Sequence, residues 1–370
     1  MHRRQFLLTT AALAGVTLTN SFSSSQTAPR PALPEPSPQK LPRWRGFNLL
    51  EKFNAARPGK FKEDDFKTIA DWGFNFVRLP MSYLCWTPDP ADWLKIDDKV
   101  LADVDQAIEF GKQYSIHVNL NLHRAPGYCV NPPKEPLDLW KDDAALDACA
   151  HHWSHLAERY KGIPRSRVSF DLLNEPPDIP VEQYVHVVTR LVNDIRQQDP
   201  DRLVIADGLK TGTSPVPELA PLKIAQSTRG YSPSRISHYH ASWVQGSADW
   251  PAPTWPLDYT TTDKQGVEHH EHWDKDRLRA RQIDPWKKLQ ELGVGVHVGE
   301  WGSHNQTPHE VALAWMADYL DLWKEAGWGW SLWNLRGSFG VLDSGRKGVQ
   351  YETFRGHKLD RKMLELLRRG

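Results

Sequence analysis

From Trp44 onward the chain alternates short apolar runs with longer stretches in which apolar residues recur every three or four positions. Short runs bounded by polar turns read as buried strands, and the longer stretches as amphipathic helices. The strand pattern falls at Arg45–Leu49, Phe74–Leu79, His117–Leu122, Val168–Leu173, Leu203–Ala206, Arg235–Tyr239, Gly295–Gly299 and Gly329–Trp333. The helical pattern falls at Asp65–Trp72, Val100–Tyr114, Ala144–Tyr160, Val181–Gln198, Pro285–Leu292, Glu310–Ala326 and Lys358–Arg369. Eight strands alternating with helices give the count of an α/β fold of the (β/α)8, or TIM-barrel, type. An open doubly wound sheet would place a Gly-rich phosphate turn after its first strand, and none follows Leu49.

The strand ends change this picture from architecture to chemistry. They carry Asn48, Arg78, His123, Asn174-Glu175, Asp207, His238, Glu300 and Asn334. In a barrel of this kind the strand C-termini surround the active site. Glu175 and Glu300 each end a short apolar run. A carboxylate at the mouth of a buried strand is costly unless it has work to do. Two such groups facing one pocket match the acid and the nucleophile of glycoside hydrolysis with retention.

Composition narrows the partners. The 370 residues hold 46 Lys+Arg and 46 Asp+Glu, and zero net charge argues against nucleic acid as a partner. Trp, at 17 residues, outnumbers Phe at 12 and Tyr at 10, which suits either a Trp-rich core or flat platforms for sugar rings. Arg3-Arg4 followed by the apolar stretch Phe6 to Leu18 reads as a twin-arginine export signal over residues 1–28. Residues 29–42 read as a Pro/Ser-rich disordered linker, and 43–370 as one catalytic domain. No later segment is apolar and long enough for a membrane span. The expected product is therefore an exported, periplasmic or secreted monomer. Cys85 and Cys129 fall in loops after the second and third strands, where they either pair or remain free thiols beside Cys149. The cluster His269-His270-Glu271-His272 reads as a solvated loop, since adjacent side chains cannot all face one ion, with a metal site as the alternative. No metal and no organic cofactor is expected.

Seven strings, "RGFNLLEKF", "FNFVRLPMSY", "NLNLHRAPGYCVN", "FDLLNEPP", "SHYHASW", "VGEWG" and "GWSLWNLRGSFGVLD", stand in the order found in glycoside hydrolase family 5. The resemblance to this cellulase-like group of retaining barrel hydrolases runs from about Leu41 to the C-terminus. It implies that Glu175 is the general acid/base and Glu300 the nucleophile. It implies that Asn174 bonds the sugar 2-hydroxyl and that Arg78 pairs with Glu300. It places His123 and His238 along the subsite where the bond breaks, and Trp333 as the platform beneath that sugar. Trp301 either lines the cleft or packs the barrel wall, and Asn48 either touches sugar hydroxyls or caps the rim. The family has His-x-Tyr on strand six, its tyrosine touching the nucleophile. Here the string reads His238-Tyr239-His240, so either His240 takes the tyrosine's place or a register shift, which strand alternation disfavours, recruits Tyr239. The implied substrate is a carbohydrate, of β-glucan or β-mannan type. The alternatives are an exo-acting glycosidase on a less common sugar and an inactive sugar-binding protein on the same scaffold.

Overall fold

The computed structural model describes residues 32–89 and 91–370, so the expected export signal lies outside the described residues. Eight parallel strands form the centre: β1 (Arg45–Asn48), β2 (Phe76–Ser82), β3 (His117–Ala125), β4 (Val168–Asp171), β5 (Leu203–Asp207), β6 (Ala225–Gly230), β7 (Val296–Trp301) and β8 (Gly329–Leu332). They run in the order β2-β1-β8-β7-β6-β5-β4-β3, and β2 pairs with β3 to close the ring. The chain is thus a (β/α)8 barrel.

The outer layer contains α1 (Glu63–Asp71), α2 (Asp98–Tyr114), α3 (Asp143–Arg159), α4 (Val181–Gln198), α5 (Asp284–Glu291), α6 (His309–Ala326) and α7 (Arg361–Arg369). Sequence explains their placement. α4 buries Tyr184, Val187, Val188, Leu191, Val192 and Ile195, a stripe spaced by threes and fours that faces the barrel. The Asp97 side chain caps the first turn of α2, which ends where Ser115 turns left-handed at φ 53°. After β5 the chain makes only a four-residue helix and a 3-10 turn, Pro217–Leu222, before β6 begins.

One expected strand is misplaced. Arg235–Tyr239 is not strand six: Ser234–Ser237 is a short helix, and the sixth strand is Ala225–Gly230. Its sequence, AQSTRG, carries no apolar run: Ser227 and Arg229 serve the charged interior, and Gln226 and Thr228 make the other face polar as well.

The barrel interior changes character along its axis. At the floor, Leu41, Trp44, Phe76, Leu203, Ile205 and Ala225 form one apolar cluster. His117 stacks on Trp44 at 3.8 Å between ring centroids, and His297 lies 4.5 Å from the Phe76 ring. At the opposite end the interior is charged. The floor also corrects the linker's extent. Leu41 is buried, and the Pro38 carbonyl accepts the Gly295 N–H at 2.8 Å, so the last residues of the expected tether are part of the fold.

Candidate active site

The charged end is built by Arg78 within β2 and by residues at the ends of β4, β5, β6 and β7. Arg78 on β2 is fully buried and uses every arm of its guanidinium: Nε donates to Asp171 Oδ2 at 2.7 Å, Nη1 to Glu300 Oε1 at 2.6 Å and to Asn48 Oδ1 at 3.1 Å, and Nη2 to Asn174 Oδ1 at 2.9 Å. Arg229 on β6 is a second buried arginine. Its Nε donates to Glu175 Oε1 at 3.2 Å and its Nη2 to Asn174 Oδ1 at 2.9 Å. It also forms a bidentate pair with Asp207 at the end of β5, and its Nη2 lies 3.5 Å from Glu300 Oε1. The two glutamates therefore face one another across a single guanidinium.

Local backbone geometry aims each glutamate. In β7 the pairing register slips between Val298 and Glu300, a bulge at Gly299. A bulge breaks the alternation of faces. Glu300 consequently enters the barrel interior while Trp301 points outward. Glu175, just past β4, sits in the left-handed region at φ 52°, where a side chain costs about 1–2 kcal/mol. Its N–H is held by Asp207 Oδ2 at 2.9 Å and its carbonyl by the Tyr128 hydroxyl at 2.5 Å.

The two carboxylates differ in setting. Glu300 accepts from Arg78 on one oxygen and from the Tyr231 hydroxyl, at 3.2 Å, on the other, and its side chain is 4% exposed. Glu175 is 17% exposed at the cleft. Burial first, then the Glu300 charge, pushes its carboxyl up to about 8, against the downward pull of Arg229. Glu175 thus keeps its proton to a higher pH than an ordinary carboxyl, beside an ion-paired carboxylate.

Asn174 is oriented by both arginines, which take its carbonyl oxygen, and its buried Nδ2 has no protein partner. That amide is a donor held open to a ligand hydroxyl. His123 lies under Phe53 at 4.5 Å, and both rings border Trp333, at 5.9 and 5.7 Å. Burial and the charges of Arg78, Arg229 and Arg124 hold His123 neutral. His238, neutral for the same first reason, packs on Tyr231 at 5.1 Å. Beyond it stands Trp243, 58% exposed, edge-on to His304 at 5.1 Å.

Of the other three candidates, His240 lies outside the carboxylate network, Trp301 takes its barrel-wall alternative, and Asn48 belongs to the network through Arg78. His240 is exposed, bonds the Trp250 carbonyl at 3.2 Å and stacks on Tyr239; the side chain touching Glu300 is Tyr231. The strand-six string is therefore Arg229-Gly230-Tyr231: the tyrosine is present, and an arginine stands where the family pattern has histidine. Trp301 is buried against Trp323 and Trp330, at 4.8 and 5.3 Å, in the barrel wall and not in the cleft. Asn48 is fully buried, with Nδ2 donating to the Gly299 and Leu332 carbonyls, and so ties β1 to β7 and β8. Asp207 stood among the expected strand ends without a role, and Arg229 and Tyr231 are the site residues that the apolar pattern passed over. Their signal was Arg-x-Tyr followed by Ser232-Pro233. The histidine cluster forms one strand of an exposed hairpin, where His269 pairs with Asp263 and both His270 and His272 with Asp258. Cys85, Cys129 and Cys149 are free thiols.

Comparison with known proteins agrees with the barrel fold. The model of the cellulase family, glycosyl hydrolase family 5, matches residues 37–338. Endoglucanase C of Acetivibrio thermocellus is 26% identical over 78% of this chain and 88% of its own length. A crystal structure described as a glycoside hydrolase is 41% identical, with a TM-score of 0.82 over 88% of this chain and 99% of that one. Thermotoga maritima Cel5A, crystallised in mutant form with cellobiose, shares the fold at a TM-score of 0.68 and 22% identity, over 88% of this chain and 96% of its own. The chain belongs to glycosyl hydrolase family 5 and is a glycoside hydrolase.

Proposed function

We propose that this enzyme cleaves β-glucan or β-mannan-type chains with retention, Glu300 acting as nucleophile and Glu175 as acid/base. The supporting observation is the asymmetry of the carboxylate pair around Arg229: Glu300 is enclosed and paired with Arg78, while Glu175 reaches the cleft surface and is pushed toward its protonated form. In the first step Glu300 attacks the anomeric carbon while Glu175 protonates the departing oxygen. In the second, Glu175 takes a proton from the water that releases the sugar. Asn174 Nδ2 would bond the 2-hydroxyl, a contact that tightens as positive charge develops on the ring. Trp333, with Phe53 and His123 at its edge, would carry the sugar undergoing cleavage.

Endoglucanase C supports the glucan side of this reading. The surface supports internal cleavage. Loops after β1, β2 and β3 enclose a cavity of about 260 Å³ bordered by Phe53, Leu84, His123 and Pro132. Loops after β6, β7 and β8 enclose another of about 570 Å³ bordered by His240, Asn305 and Lys347. Recesses on separate parts of the rim suit a chain laid across the barrel mouth.

Turnover of β-glucan, mannan, xylan and aryl glycosides by the parent, Glu175→Gln and Glu300→Gln tests the reading. One substrate class should be cleaved, with losses of about 10³-fold or more in both variants. NMR of the first-formed sugar should show retained anomeric configuration. Inverted product, or variants as active as the parent, would remove the assignment. Export by the twin-arginine route is part of the same proposal, supported by Arg3-Arg4. Replacing both arginines by lysine should keep the enzyme in the cytoplasm of an expressing bacterium. Unchanged export would refute that route.

A further inference from the structure

Arg229 has no counterpart in the roles assigned above, yet the fold makes room for it at several points. Its side chain is 1% exposed. A Cβ on Gly299 would lie 2.8 Å from its Nη1, and one on Gly212 would lie 2.7 Å from its Cγ. Ser227 Oγ and the Thr228 carbonyl accept from Nη1, and Asp207 fixes the plane of the guanidinium through two oxygens. Asp207 also holds the Glu175 N–H. One Arg–Asp pair thus grips the acid/base residue by both backbone and side chain, at a position where its backbone is strained.

We propose that Arg229, oriented by Asp207, is the positioning residue of Glu175 and the fixed cation that serves the negative charge on either glutamate. This rests on the roles proposed for Glu175 and Glu300. During the first step the bond from the anomeric carbon to Glu300 forms as the bond to the leaving oxygen breaks. The proton passes from Glu175 to that oxygen. Negative charge accordingly leaves Glu300 and appears on Glu175. Arg229 stands 3.2 Å from one carboxylate and 3.5 Å from the other, so the transfer takes place beside a cation that need not move. Arg78 cannot do the same, since its hydrogen bonds go to Glu300 and Asp171.

The groups facing Glu175 are Arg229 from β6, Glu300 from β7, Asp207 from β5, Arg78 from β2, and the Tyr128 and Tyr231 hydroxyls. Among them Arg229 is the cation in direct contact. Removing it disfavours the Glu175 carboxylate and makes the residue a weaker acid.

The test uses aryl glycosides whose leaving groups range from strongly activated to poor, with Glu175→Ala as reference. Arg229→Met should lower kcat by about 10²–10³-fold on poor leaving groups. The loss should be several times smaller on activated ones, with KM little changed. The alkaline limb of its kcat/KM profile should move up by about 1–2 pH units. Arg229→Lys keeps the charge without the fork, so it should hold that limb near the parent's and lose about 10–10²-fold in kcat. Equal losses on all leaving groups with an unmoved limb would overturn the proposal. If Arg229→Met does not fold, a fully active Arg229→Lys would overturn it as well. If Glu175→Ala itself shows no leaving-group dependence, the acid/base assignment fails first. If Glu175→Ala shows it and Arg229→Met does not, only this inference fails.

Discussion

The two ends of the barrel interior are both largely buried and oppositely furnished. The floor holds His117 and His297 among Trp44, Phe76, Leu203 and Ile205. The mouth holds two arginines and four carboxyl groups: Asp171, Glu175, Asp207 and Glu300. At the floor, burial lowers both histidines to about 3, so they stay neutral. At the mouth, burial acts in the same sense, toward neutrality, on Asp171 and Glu175, and raises both. The mouth remains ionic only because each arginine touches more than one carboxylate. A buried charge persists through its partners, not through its depth.

Breaking the mouth at its centre should have the largest effect. Arg78→Met leaves Asp171 and Glu300 without their principal cation, and stability should fall by about 3–5 kcal/mol. Chemical denaturation measures it; a loss under 1 kcal/mol would mean that water or Arg229 replaces the lost contacts.

A subtler change separates stability from activity. Glu175 titrates near 8 in the folded chain and near 4.5 when unfolded. Between those values the folded state holds the extra proton, so stability is full below the lower value and declines as pH rises through the higher one. Glu175→Gln needs no proton. At pH 8 it should melt later than the parent by about 1–2 kcal/mol of stability, while hydrolysing poorly. The advantage should shrink toward pH 5. An advantage that is constant across pH would assign it to packing.

The floor should answer with the opposite sign. His117 and His297 bind protons near 6.5 when unfolded and near 3 when folded, so stability falls as pH drops from 6.5. Each contributes up to about 1.4 kcal/mol per pH unit of slope. His297 has no hydrogen-bond partner on either ring nitrogen. His297→Leu should therefore leave activity unchanged, raise stability by about 1 kcal/mol at neutral pH and flatten the acid slope. Lost stability in this variant at every pH would show that the imidazole's shape matters more than its polarity.

The same contrast explains what the sequence made legible. Seven of the eight strands announce themselves through apolar residues on their helix-facing side, as in Val296-His297-Val298 and Val168-Ser169-Phe170. β6 does not, because Ser227 and Arg229 serve the mouth and Gln226 bonds both backbone groups of Val216. The apolar and aromatic letters after it, around Ile236 and Tyr239, drew the strand expectation ten residues too far. That displacement also produced the misplaced role for His240. Trp301 was ambiguous for another reason. A bulge at Gly299 reverses the facing of everything after it, and bulges leave no periodic trace. Glu175, Glu300, Arg78 and Asn174 were legible because charged and amide residues at strand ends have few structural reasons to be there.

The buried Pro38–Leu41 segment has a bearing on how this enzyme can be mounted. Glu35 reaches Arg165 just ahead of β4, Pro38 pairs ahead of β7, and the Gly370 carbonyl meets Arg45 at the start of β1. Both described ends of the chain thus emerge on the face opposite the cleft. An adsorbing tag, a bead linkage or a second protein attached at either end would leave the barrel mouth pointing outward, toward an insoluble substrate approaching from the other side.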